Sequence, residues 1–90
     1  MIARRFLIKG QVQGVGFRYF AQHSAAAHQV KGWIRNLDDG SVEALVQGSE
    51  DEVGHFRDDI ATGPKHARVI ELEEIVVDPN PGLRTFRIER

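Results

Sequence analysis

The stretch GQVQGVGFR, residues 10–18, lies where the apolar pattern of the chain changes from the period of a strand to that of a helix. Before this stretch, Phe6 and Ile8 are two residues apart, as on one face of a β-strand. After it, apolar and small residues recur at helical spacing, and the predicted helical face comprises Phe17, Phe20, Ala21, Ser24, Ala25 and His28. Residues 10–18 are therefore predicted to form the loop between a first strand and a first helix.

The next segment is predicted to form a β-hairpin. Residues 30–36, VKGWIRN, alternate in polarity and predict a second strand. The dipeptide Asp39-Gly40 follows, which is typical of tight hairpin turns, and the alternating residues 42–46 predict a third strand. Strands joined by so short a turn run antiparallel.

The second half of the chain is predicted to contain one more helix and two more strands. Ser49 and Glu52 have the spacing of a capping box, so the second helix is predicted to begin there. The Gly-Pro dipeptide at 63–64 is expected to end that helix. Residues 66–77 then predict a long fourth strand, and residues 83–90 predict a final strand.

The predicted order of elements is β-α-β-β-α-β followed by a C-terminal strand. This order is that of the α+β, ferredoxin-like split-βαβ sandwich, a mainly antiparallel sheet with two helices on one face. We expect a single domain over residues 1–90, which is a usual size for one hydrophobic core. In this plan strands one and two are parallel, so their C-terminal ends lie at the same edge. The topology therefore predicts that Asn36, which ends strand two, lies within reach of the loop at 10–18.

The charge of the chain is divided unevenly between its two parts. Residues 1–36 contain six Lys or Arg and no Asp or Glu, whereas residues 37–90 have a net charge of −7, which gives the overall −1. A segment without carboxylates favours the binding of an anion. The alternative interpretation is a chance clustering of solvated charges.

The composition excludes several classes of protein. The chain has no cysteine, which excludes a disulfide scaffold, thiolate chemistry and cysteine-ligated metal. The polar N-terminus does not resemble a signal peptide, and no apolar run approaches the ~18 residues of a membrane span. We therefore expect a cytoplasmic protein that does not bind a membrane.

The glycine-rich loop has the features of an anion-binding site. Gly10, Gly14 and Gly16 permit positive φ, which allows successive N–H groups to point inward at one anion. The loop leads into the N-terminus of a helix, and the fork of Arg18 matches phosphate oxygens. A plain loop that needs glycine only to turn the chain remains the alternative. The loop matches neither common nucleotide-binding motif, so it gives no support for nucleotide binding.

Three blocks of the sequence together resemble the acylphosphatase family. GQVQGVGFR at 10–18 resembles the family's G-x-V-Q-G-V-G-F-R, and GWIRNLDDGSVE at 32–43 resembles G-W-V-R-N-x-x-D-G-x-V-E. GPKHARV at 63–69 is similar to G-P-x-x-A-x-V. The blocks have the order and spacing of the family, from about residue 6 to the C-terminal strand. The resemblance implies a ferredoxin-like fold and an enzyme that hydrolyses acyl phosphates.

The resemblance also implies roles for particular residues. It implies that Arg18 binds the phosphate of the substrate and that Asn36 orients the attacking water. The implied phosphate-binding loop comprises Gln13, Gly14, Val15, Gly16, Phe17 and Arg18. One departure from the family is Gln29, where glycine is common. If that position requires positive φ, glutamine there costs about 1 kcal/mol of stability.

The chemistry of an acyl phosphate fits a chain with few catalytic groups. The sequence has no nucleophile-elbow serine, and its four histidines lack the spacing of zinc ligands. The leaving carboxylate belongs to an acid of pKa roughly 4, so its departure needs no general acid at neutral pH. We therefore expect metal-independent hydrolysis to a carboxylate and inorganic phosphate, with no cofactor.

Two other interpretations remain open. The chain could be a non-catalytic anion-binding module, or an RNA-binding module that stacks bases on Tyr19 and Trp33. Acylphosphatase-like domains also occur within larger hydrogenase-maturation proteins. We expect a free, monomeric enzyme whose partners are a small-molecule acyl phosphate and inorganic phosphate, and we expect no nucleic-acid partner.

Overall fold

The computed structural model describes residues 1–90 and contains five strands and two helices. In chain order they are β1 (Ile2–Gln11), α1 (Phe17–His28), β2 (Lys31–Asn36), β3 (Val42–Gly48), α2 (Glu50–Thr62), β4 (Arg68–Val77) and β5 (Phe86–Ile88). This order confirms the one predicted from the sequence. None of the helices combines the length and hydrophobicity that a membrane span requires.

The five strands form one mixed sheet in the order β4-β1-β3-β2-β5. β1 is antiparallel to β3 and β4, and β2 is antiparallel to β3, while β5 is parallel to β2. β1 and β2 are therefore parallel strands with β3 between them. Val42 of β3 pairs with Ile8 of β1 on one side and with Asn36 of β2 on the other. The C-terminal ends of β1 and β2 thus lie at the same edge of the sheet, as predicted.

The hydrophobic core lies between the sheet and the two helices. Phe6 of β1 and Phe56 of α2 are completely buried with their rings 6.3 Å apart, and each contributes roughly 1.5–3 kcal/mol of stability. On α1, Ala21 and Ala25 are buried and small, so this helix can lie close to the sheet. The core cluster comprises Phe6, Ile8, Val12, Phe17, Ala21, Ala25, Val30, Ile34, Val42, Ala44, Val46, Val53, Phe56 and Ile60.

The second helix begins and ends at the residues that the sequence predicted. The backbone N–H of Glu52 donates to Ser49 Oγ at 3.1 Å, and the N–H of Ser49 donates to Glu52 Oε1 at 2.8 Å. The bond from the backbone N–H of Ser49 to the Glu52 carboxylate holds the pKa of that carboxyl below its ordinary value. At the other end, Gly63 takes a positive φ of 73° and its N–H donates to the carbonyl of Asp59. The predicted capping box is confirmed.

The first helix ends in a conformation that is unfavourable for its sequence. Gln29 has a φ of 59° and is the one non-glycine residue with positive φ. Its N–H donates to the carbonyl of Ala25, and the N–H of Val30 donates to the same carbonyl at 3.1 Å. The turn at Gln29 therefore has the positive φ on which the predicted cost of about 1 kcal/mol depends.

The last strand is shorter than predicted. The sequence indicated a strand over residues 83–90, but only Phe86–Ile88 adopts that conformation. The N–H of Leu83 donates to the carbonyl of Asn80, so residues 80–83 form a turn. Past the strand, the N–H of Glu89 still donates to the carbonyl of Ile34 at 2.8 Å. This bond holds the C-terminal segment beside β2.

An ion network crosses three strands on the face of the sheet opposite the helices. Glu43 of β3 accepts hydrogen bonds from Arg5 of β1 and Arg35 of β2, each at 2.7 Å. Burial alone would raise the pKa of the Glu43 carboxyl, but the two arginines outweigh burial and lower it. The network therefore stabilises the alignment of β1, β3 and β2 next to the end that carries Asn36.

Candidate active site

A cavity of about 110 Å³ lies where the loop after β1 meets the end of β2. It is lined by Val12, Gly14, Gly16, Phe17, Arg18, Tyr19 and Asn36. Of the residues predicted to form a site, five line this cavity together. The other two do not line it: Val15 packs against the core, and the side chain of Gln13 turns away to the β2–β3 hairpin.

The loop presents a run of backbone donors that have no partner in the protein. None of the N–H groups of residues 13–16 donates to a backbone or side-chain acceptor. Gly14 and Gly16 have φ values of 74° and 77°, and a Cβ at either position would meet no atom within 4 Å. Glycine is therefore needed at these positions for conformation and not for space. Unpaired N–H groups in such turns attract an anion.

Arg18 brings a positive charge that no carboxylate neutralises. It is the second residue of α1 and is half-buried. Its Nη1 donates to the backbone carbonyl of Glu89 at 3.2 Å, and the side chain takes part in none of the ion pairs of the chain. A cation at a helix N-terminus opposes the helix dipole, so this end of α1 is strongly electropositive. An anion bound there would interact favourably with both.

Asn36 contributes an amide that is free to bind a ligand. It is the last residue of β2, and its backbone lies opposite Val42. The side chain is half-buried and makes no hydrogen bond within the protein, although it lines the cavity. An asparagine amide offers both donors and an acceptor, so it can hold a water molecule in a fixed orientation.

Tyr19 also lines the cavity, although no sequence pattern assigned it to the phosphate site. It follows Arg18 in the first turn of α1, and its side chain is 72% exposed. Adjacency to Arg18 is the signal that could have found it. The other aromatic residues near this end are less available for stacking, because Phe17 is buried and Arg35 lies 5.2 Å above the ring of Trp33. This arrangement gives little support to the RNA-binding alternative.

A second cavity, of about 220 Å³, lies next to the C-terminal segment. It is lined by Trp33, Arg35, Glu89 and Arg90. Unlike the first cavity it contains an acidic residue, and Arg35 already forms an ion pair with Glu43. This cavity is therefore less suited to a phosphate group than the one at the glycine loop.

A polar cluster joins the two helices away from both cavities. Asp59 of α2 accepts a hydrogen bond from Ser24 Oγ at 2.7 Å and lies 3.0 Å from His28 Nε2, both of α1. The rings of His28 and His55 are stacked, with centroids 5.3 Å apart. Ser24 and His28 both bond to the same carboxylate oxygen of Asp59, so the cluster joins α1 to α2. No group of three or more His, Cys, Asp or Glu side chains has a metal-binding arrangement.

Comparison with known proteins identifies acylphosphatases as similar over nearly the whole chain. A model of the acylphosphatase family matches residues 4–88. A protein of Moorella thermoacetica named acylphosphatase is 49% identical over 88 residues, which cover 98% of this chain and 94% of that protein. The crystal structure of acylphosphatase from Bacillus subtilis has a TM-score of 0.96 at 34% identity and covers 100% of both chains. HypF from T. kodakarensis has a TM-score of 0.87 at 32% identity, over 100% of this chain and 12% of its own.

The unpaired charge of Arg18 leads to a prediction about phosphate binding. Arg18→Gln keeps a polar side chain but removes the charge and the two-pronged donor. Since a hydrogen bond to a charged group contributes roughly 1.5–3 kcal/mol, the affinity for inorganic phosphate should fall about tenfold or more. Isothermal titration with phosphate measures this change. Arg57→Gln, which removes the same charge from α2, is the control and should bind phosphate like the wild type. Equal affinity in Arg18→Gln and wild type would show that Arg18 does not bind the anion.

Proposed function

The chain belongs to the acylphosphatase family of enzymes, and we propose that it hydrolyses the carboxyl–phosphate bond of small acyl phosphates without a metal ion. The products are a carboxylate and inorganic phosphate. The family and the fold support the hydrolysis of acyl phosphates. The proposed residue roles rest on one observation: Arg18, Asn36 with its free amide, and Gly14 and Gly16 with their unpaired N–H groups line a single cavity.

In the proposed reaction, the loop and Arg18 hold the phosphoryl group. The N–H groups of residues 13–16 and the guanidinium of Arg18 donate to the phosphoryl oxygens. Phosphoryl transfer passes through a loose transition state in which charge is spread over these oxygens. Donors that are already in place stabilise this charge without having to reorganise. Binding and rate therefore both depend on this half of the site.

Asn36 has the second role, which is to orient the attacking water. The water oxygen forms a bond to phosphorus as the bond from phosphorus to the acyl oxygen breaks, and the carboxylate leaves with that electron pair. The proton lost by the water goes to a phosphoryl oxygen, so no protein base is needed. Asn36 fixes the water opposite the leaving group, and such positioning of a reactant is a major source of rate enhancement.

The proposed mechanism needs neither a general acid nor a metal ion. The leaving carboxylate is stable at neutral pH because its conjugate acid has a pKa of roughly 4. The charge that a metal would neutralise in other phosphoryl transfers is countered here by Arg18 and the loop. A cytoplasmic location and a monomeric state remain predictions from the sequence.

The direct test of the proposed function is an assay with benzoyl phosphate. The protein, dialysed against a chelator, should hydrolyse this substrate at the same rate with and without added Mg²⁺, because no step requires a metal. Activity that is lost on chelation and restored by one metal would contradict the metal-independent mechanism. Folded protein that binds phosphate without any turnover would instead support a non-catalytic anion-binding module.

The role proposed for Asn36 separates an enzyme from a passive anion site. Asn36→Ala should lower kcat by about two orders of magnitude, because a misplaced reactant costs that much in rate. The affinity for inorganic phosphate should stay within a few-fold of wild type, since the phosphoryl group is held elsewhere. Steady-state kinetics, phosphate titration and the melting temperature are measured on one preparation. If folded Asn36→Ala keeps a near-normal kcat, the residue serves only to end β2.

A further inference from the structure

Gln13 makes two hydrogen bonds that join the glycine loop to the β2–β3 hairpin. Its Nε2 donates to the carbonyl of Leu37 at 2.7 Å and to the carbonyl of Ser41 at 2.8 Å. One side-chain amide thus uses both of its donors on two carbonyls that lie on opposite arms of the hairpin. Both N–H bonds of the side-chain amide are therefore used, and neither is left for a phosphate.

The two carbonyls lie next to the residue pair that contains Asn36, on the side of the hairpin turn. Asn36 lies opposite Val42 in the sheet, Leu37 directly follows Asn36, and Ser41 directly precedes Val42. The N–H of Leu37 also donates to the carbonyl of Ser41 at 2.8 Å, which closes the hairpin beyond that pair. Gln13 therefore contacts the backbone immediately next to Asn36.

No other hydrogen bond connects the loop with this hairpin. The pairing of β1 with β3 ends at Ile8 opposite Val42, and residues 9–11 pair only with β4. Within residues 12–16, the one other hydrogen bond is accepted by the carbonyl of Gly16 from Phe20, inside the first helical turn. The amide of Gln13 thus makes the only direct hydrogen bonds between residues 12–16 and the hairpin that carries Asn36, whereas Arg18 reaches β2 only indirectly, through the backbone of Glu89.

We propose that Gln13 is a positioning residue, which sets the distance and angle between the glycine loop and Asn36. This inference rests on the proposed function, because it concerns the alignment of a held phosphoryl group with a held water. The phosphoryl group moves with the loop and with Arg18, since both belong to one continuous segment. Loss of the Gln13 bonds therefore leaves phosphate binding intact and misaligns the water that Asn36 holds.

The experiment compares Gln13→Met with a matched control. Methionine has nearly the length of glutamine but no N–H donor. Gln47→Met is the control, because the amide of Gln47 also bonds a loop backbone, at Asn80, but lies away from the cavity. We expect Gln13→Met to lower kcat about tenfold or more while its phosphate affinity stays within about threefold of wild type. Gln47→Met should change the melting temperature and not kcat.

A double-mutant cycle then tests whether Gln13 acts through Asn36. In the Asn36→Ala background, Gln13→Met should change kcat by less than about twofold, because the aligned water is already lost. If Gln13→Met does not fold, Gln13→Asn, which keeps the amide on a side chain one methylene shorter, replaces it in the same cycle.

The outcomes distinguish this inference from the proposed function. A wild type that hydrolyses no acyl phosphate overturns both. A normal kcat in Gln13→Met, beside a large loss in Asn36→Ala, overturns the inference alone. Parallel losses of kcat and phosphate affinity in Gln13→Met would show that the Gln13 side chain supports phosphate binding, which overturns the positioning role. Equal effects of Gln13→Met in both backgrounds would show that it does not act through Asn36.

Discussion

Val42 pairs with Ile8 on one side and with Asn36 on the other, and the candidate site depends on this shared position in the sheet. Because β3 lies between two parallel strands, the residues that follow Ile8 and the residue that ends β2 emerge at one edge. The glycine loop and Asn36 are far apart in the sequence but are neighbours through this one pair. A shift of β2 by one residue against β3 would turn the Asn36 side chain to the opposite face of the sheet.

On one face of the sheet, ion pairs stabilise this alignment of the strands. On the other face, an unpaired positive charge is available to bind an anion. Glu43 follows Val42, and its ion pairs with Arg5 and Arg35 join the same three strands. Because these pairs lower the pKa of Glu43, their contribution to stability is present above its ordinary value of 4.5 and is lost as the pH falls through the lowered value. Arg18 has no such partner, so its charge remains available for a ligand.

Much of this arrangement could be predicted from the sequence, because local patterns carry it. Apolar periodicity gave the order of the elements, the capping box located the start of α2, and topology placed Asn36 near the glycine loop. The contacts of the Gln13 amide and the bond from Arg18 to the carbonyl of Glu89 could not be predicted. Both join side chains to backbone carbonyls distant in the sequence, and such contacts leave no periodic signal. β5 is shorter than predicted because the turn at residues 80–83 includes the first residue of the predicted strand, and only Phe86–Ile88 pairs with β2.

We propose that the glycine loop and Arg18 together hold a phosphate in the cavity at the end of β2. Titration of the isotope-labelled protein with inorganic phosphate, followed by amide NMR, tests it most directly. We expect the backbone amide signals of residues 13–16 and the guanidinium signal of Arg18 to shift together along one saturable curve. Shifts that leave residues 13–16 unchanged and concentrate at Trp33, Arg35 and Arg90, around the second cavity, would contradict it.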